Sequence, residues 1–169
     1  MEEAFEILER TPNVLEQLLS GLSNSWIDNN EGKDSWSPYD IVGHLVYGEQ
    51  IAWIDRAKAL MNESPEPFAP FDREAQLKKT EREEISKLLK EFKELRYKNL
   101  ETLKGMKISE DDLNKKGIHP AFGEVKLKQF LSAWVVHDLG HIRQITRVLA
   151  KQYKDEVGPW AEYLRILKE

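Results

Sequence analysis

The chain contains no cysteine. That excludes disulfides, protein thiolate nucleophiles and cysteine-based zinc sites together, and it makes a reducing cytosol the expected compartment. No apolar run approaches the roughly 18 residues of a membrane span. The start, Met1-Glu2-Glu3-Ala4-Phe5, is acidic and carries no signal-peptide pattern. A basic excess is missing as well. Lys and Arg number 25 against 30 Asp and Glu, and the net charge of −5 argues against a nucleic-acid binder. There is no GxGxxG or Walker phosphate loop and no Ser-His-Asp signature. If the protein is an enzyme, its nucleophile is expected to be activated water or a thiol brought from outside. No strand of useful length, internal repeat or low-complexity segment is visible.

What is present is helical. The 169 residues suit one domain, taken as 1–169, with a real core. Near the start, Thr11 reads as a helix N-cap and Pro12 as the first helical position, with Val14, Leu15, Leu18, Leu19 and Leu22 following at helical spacing. Asp28 to Asp34 is a polar loop. Ser37-Pro38 is a second cap-plus-proline start, opening an apolar helix to about Leu60. Pro65, Pro67 and Pro70 mark a linker or lid, tacked down by Phe68 and Phe71. Thr80-Glu81-Arg82-Glu83 is a capping box for a third helix to about Met106, with the stripe Ile85, Leu88, Leu89, Phe92, Leu95, Asn99, Leu103 and Met106 and the rest a solvated charged face. Residues 117–125 are a tight connection, with His119 as a turn residue beside Phe122. A fourth helix runs from about Lys126 to Gln152, and Trp160 to Lys168 is a short terminal helix. The expected architecture is all-α, a four-helix bundle with short peripheral helices. Bundle cores are where metal and cofactor sites are built.

The fourth helix carries the chemistry. His137 and His141 are four residues apart, on one face and one turn apart. They fall in a row with Phe130, Trp134, Ile145 and Val148, so they point where the helix packs. Imidazoles facing a core need polar partners. His44 lies on the inner edge of the second helix and offers a third nitrogen. Three imidazoles with an open fourth position is the catalytic-zinc arrangement, and imidazole also suits Ni, Cu and Fe. The alternative is three histidines hydrogen-bonded to neighbouring groups. Asp138 is either an acceptor for a histidine N–H or an exposed or capping acid. Tyr47, Glu49 and Gln144 are polar candidates near the mouth, Gly48 leaves room for a close approach, and Trp134 is a candidate pocket wall.

These pieces resemble the DinB-like (DinB/YfiT-like) superfamily over nearly the whole chain. The resemblance rests on Leu8-Glu9-Arg10-Thr11-Pro12, on Trp36-Ser37-Pro38 followed by Gly43-His44-Leu45, and on Glu91 to Arg96. It continues through His119 to Val125, His137 to Ile145 and Gly158-Pro159-Trp160. It implies a four-helix bundle in which His44, His137 and His141 hold a divalent ion, Zn or Ni first among them. It also implies a cytoplasmic homodimer acting on a small molecule. The activity expected from it is S-transfer from a bacillithiol- or mycothiol-type thiol cosubstrate to a small electrophile held near Trp134, Tyr47 and Gln144. Two alternatives stand beside it. One is a metal-dependent hydrolase with Asp138 or Glu49 as helper base. The other is a non-catalytic metal-binding protein of the stress response.

Overall fold

The computed structural model describes residues 2–78 and 81–168. Seven α-helices and one small hairpin are defined in it: α1 (Glu2–Leu8), α2 (Thr11–Leu19), α3 (Asn24–Asp28), α4 (Pro38–Ile51), α5 (Trp53–Met61), α6 (Ile85–Gly105), β1 (Lys116–His119), β2 (Gly123–Lys126) and α7 (Leu127–Lys151). Helix α4 starts where Ser37-Pro38 predicts. The Ser37 hydroxyl accepts from Asp40 N–H, and the Asp40 carboxylate accepts from Ser37 N–H at 2.9 Å. Pro38, which has no N–H to lose, takes the first turn.

The apolar rows of the helices build two core clusters. One gathers Leu15, Leu19, Ile41, Leu45, Leu88, Phe92 and Ile145. The other gathers Leu8, Ala57, Leu60, Leu100, Leu103, Phe130 and Trp134. Both draw on the long helices α6 and α7, one cluster toward each end. At the level between them each helix turns polar, with Glu49 from α4, Arg96 and Asn99 from α6, and Asp138 from α7, all buried. The core is thus divided by a polar layer.

Several expectations need correction. The helix begun at Pro38 is not continuous to Leu60, because Ala52 has φ −114°, ψ −57° and separates α4 from α5. Thr11 does not cap α2; its hydroxyl donates to the Ile7 carbonyl at 3.1 Å and so continues the turn from α1. Helix α6 begins at Ile85 without a side-chain cap, and Thr80 of the expected capping box lies outside the described residues. Residues 116–126 form an antiparallel hairpin, with Lys116 opposite Lys126 and His119 opposite Gly123. Four-residue strands are too short to display an alternating pattern. The terminal helix is two 3₁₀ turns, Gly158–Glu162 and Arg165–Leu167. Arg96, read with the solvated face of α6, is fully buried.

The proline segment is fastened as its aromatics suggest. Phe68 is buried, and its N–H donates to the Ile118 carbonyl of β1 at 2.9 Å. Gly117 makes this seam close, since a Cβ there would stand 3.0 Å from Leu60 and 3.3 Å from Phe68. The segment then passes over the histidines of α4 and α7.

A candidate metal centre

Helices α4 and α7 bring His44 and His137 together across 93 residues of sequence. The His137 Nε2 lies 3.3 Å from the His44 Nε2 and 3.2 Å from the His141 Nε2. The outer faces of two rings are spoken for. His44 Nδ1 lies 3.2 Å from the Arg73 carbonyl, which only accepts, so that nitrogen donates. His141 Nδ1 lies 2.9 Å from the Gln144 side-chain oxygen and donates likewise. With their protons held outward, the Nε2 lone pairs of His44 and His141 turn to the centre. His137 Nδ1 is buried without a hydrogen-bond partner among the described residues, with the Asp138 carboxylate 3.7 Å away, just beyond hydrogen-bond range.

Converging lone pairs repel unless a cation lies between them. Tetrahedral ligands at the zinc–imidazole distance stand about 3.3 Å apart, the spacing His137 keeps with His44 and with His141, and all three ligand atoms lie within 4.8 Å of one another. The donor set and its geometry therefore fit a divalent ion, and the three side chains form a group that could hold one. Burial pushes His44 and His141 down to about 4, each assisted by the charge of His137. Neutral imidazole is the form a metal requires.

Behind the histidines stands the polar layer. Arg96 donates to Asp138 at 2.5 and 3.1 Å, to Glu49 at 3.0 and 2.8 Å, and to the Leu8 carbonyl at 3.0 Å. Asn99 donates to the Glu49 carboxylate at 2.9 Å and to its backbone carbonyl at 2.8 Å. Burial raises the Glu49 carboxyl against the pull of Arg96 and Asn99. Burial also opposes ionisation of Asp138, but Arg96, His137 and Thr11 outweigh it and hold the group below its ordinary value.

In front of the histidines is a cavity of about 320 Å³, lined by Trp36, His44, Gly48, Ala52, Trp53, Arg56, Phe71, Arg73, His137 and His141. The proposed site residues divide around it. His44, His137 and His141 line it. Gln144 holds the outer face of His141. Tyr47 packs on Phe71 with ring centroids 5.4 Å apart and stands beside the cavity rather than in it. Trp134 is not the wall; it is fully buried and stacks at 4.9 Å behind Trp53, whose ring lines the cavity. Glu49 and Asp138 face Arg96 and are likewise absent from the lining. The space left by Gly48 is taken by the Trp53 indole, 3.2 Å from where a Cβ would be. His119 turns the hairpin, accepting from Ala121 and Phe122 N–H and stacking on Phe122 at 4.3 Å.

Trp36, Trp53, Arg56, Phe71 and Arg73 were missed by sequence reasoning. For Arg56 a signal existed: His44, Gly48, Ala52 and Arg56 follow at steps of four and all reach the cavity. In sequence, Phe71 reads only as a tether of the proline segment and Trp36 only as part of a motif, while Trp53 and Arg73 carry no signal, since the α4–α5 break and a loop place them.

No curated protein matches the chain in sequence. Among solved structures it is similar to YfiT from Bacillus subtilis, described as a probable metal-dependent hydrolase with an unusual four-helix bundle topology. That likeness has a TM-score of 0.76 at 22% identity, over 89% of this chain and 86% of that one, and it establishes the bundle fold. The sequence pattern of the DinB superfamily matches residues 7–145, a span that contains all three histidines. The chain belongs to the DinB superfamily.

Proposed function

We propose that the protein is a metal-dependent S-transferase, joining a low-molecular-weight thiol to a small electrophile. The observation that carries this reading is the convergence of three imidazole nitrogens on the floor of an aromatic cavity with no carboxylate among the described residues of its lining. A divalent ion bound there, zinc or nickel first among the candidates, supplies the Lewis acidity that keeps a thiol sulfur deprotonated near neutral pH. The chain's residues do the rest. His44, His137 and His141 offer neutral nitrogens, and Arg73 and Gln144 fix two of the rings through their outer N–H groups. Trp36, Trp53 and Phe71 wall the space and exclude water. A deprotonated thiol needs no protein base, which suits a site where Glu49 and Asp138 are both engaged with Arg96.

Hydrolysis is the second reading, favoured by the description of YfiT. It would use water in the place of the thiol. The test begins with metal content of untagged protein, wild type and His137→Ala. About one ion per chain, lost in the variant, is the expected result. Thiol consumption with 1-chloro-2,4-dinitrobenzene that stops on chelation supports S-transfer. Turnover of aryl esters without thiol supports hydrolysis instead. Metal binding with neither activity returns the protein to a binding role. Absence of metal, with no uptake from zinc or nickel, ends all three. Light scattering on the same sample tests the expected homodimer.

A further inference from the structure

Two arginines line the histidine cavity, and neither pairs with a carboxylate among the described residues; Arg56 is half-buried and Arg73 is exposed at the rim. The Arg56 guanidinium donates to the Ala69 carbonyl at 3.1 Å and lies 5.6 and 5.7 Å from the centres of Phe68 and Phe71. Burial lowers its affinity for its own proton, and no acid offsets that. Arg73 sits where the proline segment crosses His44, and its positive charge is felt both at His44 and at His119 on the hairpin. Arg56 acts on His119 too, so the two cations flank one region. Three acids adjoin them in sequence, Asp55, Asp72 and Glu74; Asp72 pairs with Lys78 and accepts from Glu74 N–H. A half-buried cation without a counter-charge is costly in the free protein and becomes favourable when an anion arrives.

We propose that Arg56 and Arg73 form an anion clamp at this cavity, and that the substrate is a small carboxylate with an apolar body. The body lies among Trp36, Trp53 and Phe71. The carboxylate meets the guanidinium groups, leaving the other end of the molecule at the histidines. The inference names the substrate class of the proposed enzyme and rests on that reading for its chemistry, but not for the binding itself.

The test is a titration of the full chain with 3-phenylpropanoate and with its uncharged amide, followed by tryptophan fluorescence. It is run on zinc-loaded and on chelator-treated protein, since a carboxylate can also ligate an ion. The expected result is that the carboxylate binds about tenfold tighter than the amide in both forms, as one charge-assisted pair provides. Arg56→Gln and Arg73→Gln should each erase most of that preference and leave amide binding unchanged. Lys90→Gln, on the exposed face of α6, should keep it. Arg73 has an exposed side chain, so its variant carries the test if Arg56→Gln folds poorly. Equal binding of the two probes by wild type, binding of neither, or a preference surviving the double variant would overturn the clamp. A carboxylate preference without zinc uptake would sink the metal reading and leave the clamp standing. Zinc uptake without the preference would do the reverse.

Discussion

Asp138 faces two ways. Its oxygens take the guanidinium of Arg96, and one of them lies 3.7 Å from His137 Nδ1. Asp138→Asn removes the carboxylate charge beside His137 and should weaken metal affinity by up to roughly 10-fold, the low end of what losing a ligand's supporting group costs. Zinc titration against a competing chelator measures it. Arg96 is the costlier residue to remove. Arg96→Met strands two buried acids and should destabilise by about 3–5 kcal/mol in urea denaturation. Arg96→Lys should restore only part, because one ammonium cannot reach both carboxylates with a guanidinium's fork. The histidines were legible because their four-residue spacing sits in an apolar row. Arg96 was not, since a lone arginine among many Lys and Glu reads as surface. Nothing in α6 alone shows that Glu49 and Asp138 wait across the core.

At the scale of elements, caps and tethers matter most. Ser37→Ala removes the acceptor for Asp40 N–H and should cost about 1 kcal/mol. Gly117→Ala pushes a methyl into Leu60 and Phe68 and should cost about 1–3 kcal/mol by overpacking. Both are read from thermal or urea unfolding. The loop before α4 is tied to α7 by Glu31, which pairs with Arg147 and Lys151. The Arg147 hydrogen bond leads in lowering the Glu31 carboxyl below its ordinary value. A depressed carboxyl adds stability above its unfolded value of about 4.5, and that stability fades as pH falls through the folded value. Glu31→Gln should thus be less stable than wild type at pH 7, with the gap closing as acidification protonates Glu31 in the folded protein. Helix starts were readable from Ser37-Pro38, whose signal is local. The break at Ala52 was not, because apolar spacing runs straight through it and Trp53 packing decides it.

At the scale of the whole molecule, the proposed metal binding would be coupled to folding. The three histidines come from helices 93 residues apart, and the unfolded chain has no comparable site. Zinc at 100 times its dissociation constant should stabilise the fold by about 2.7 kcal/mol. For a chain of this size that is a rise in melting temperature of roughly 5–10 °C. Calorimetry with and without chelator checks it, and His137→Ala should show no rise. The order of the chain adds a consequence during synthesis. His44 emerges early, but α7 is the last long helix made. Until it docks, His44 is held apart from the i,i+4 pair His137 and His141, and His119 lies on the separate hairpin. On the proposed metal-binding reading, the complete three-histidine site exists only once α7 has docked, so ion loading would be a finishing step of folding.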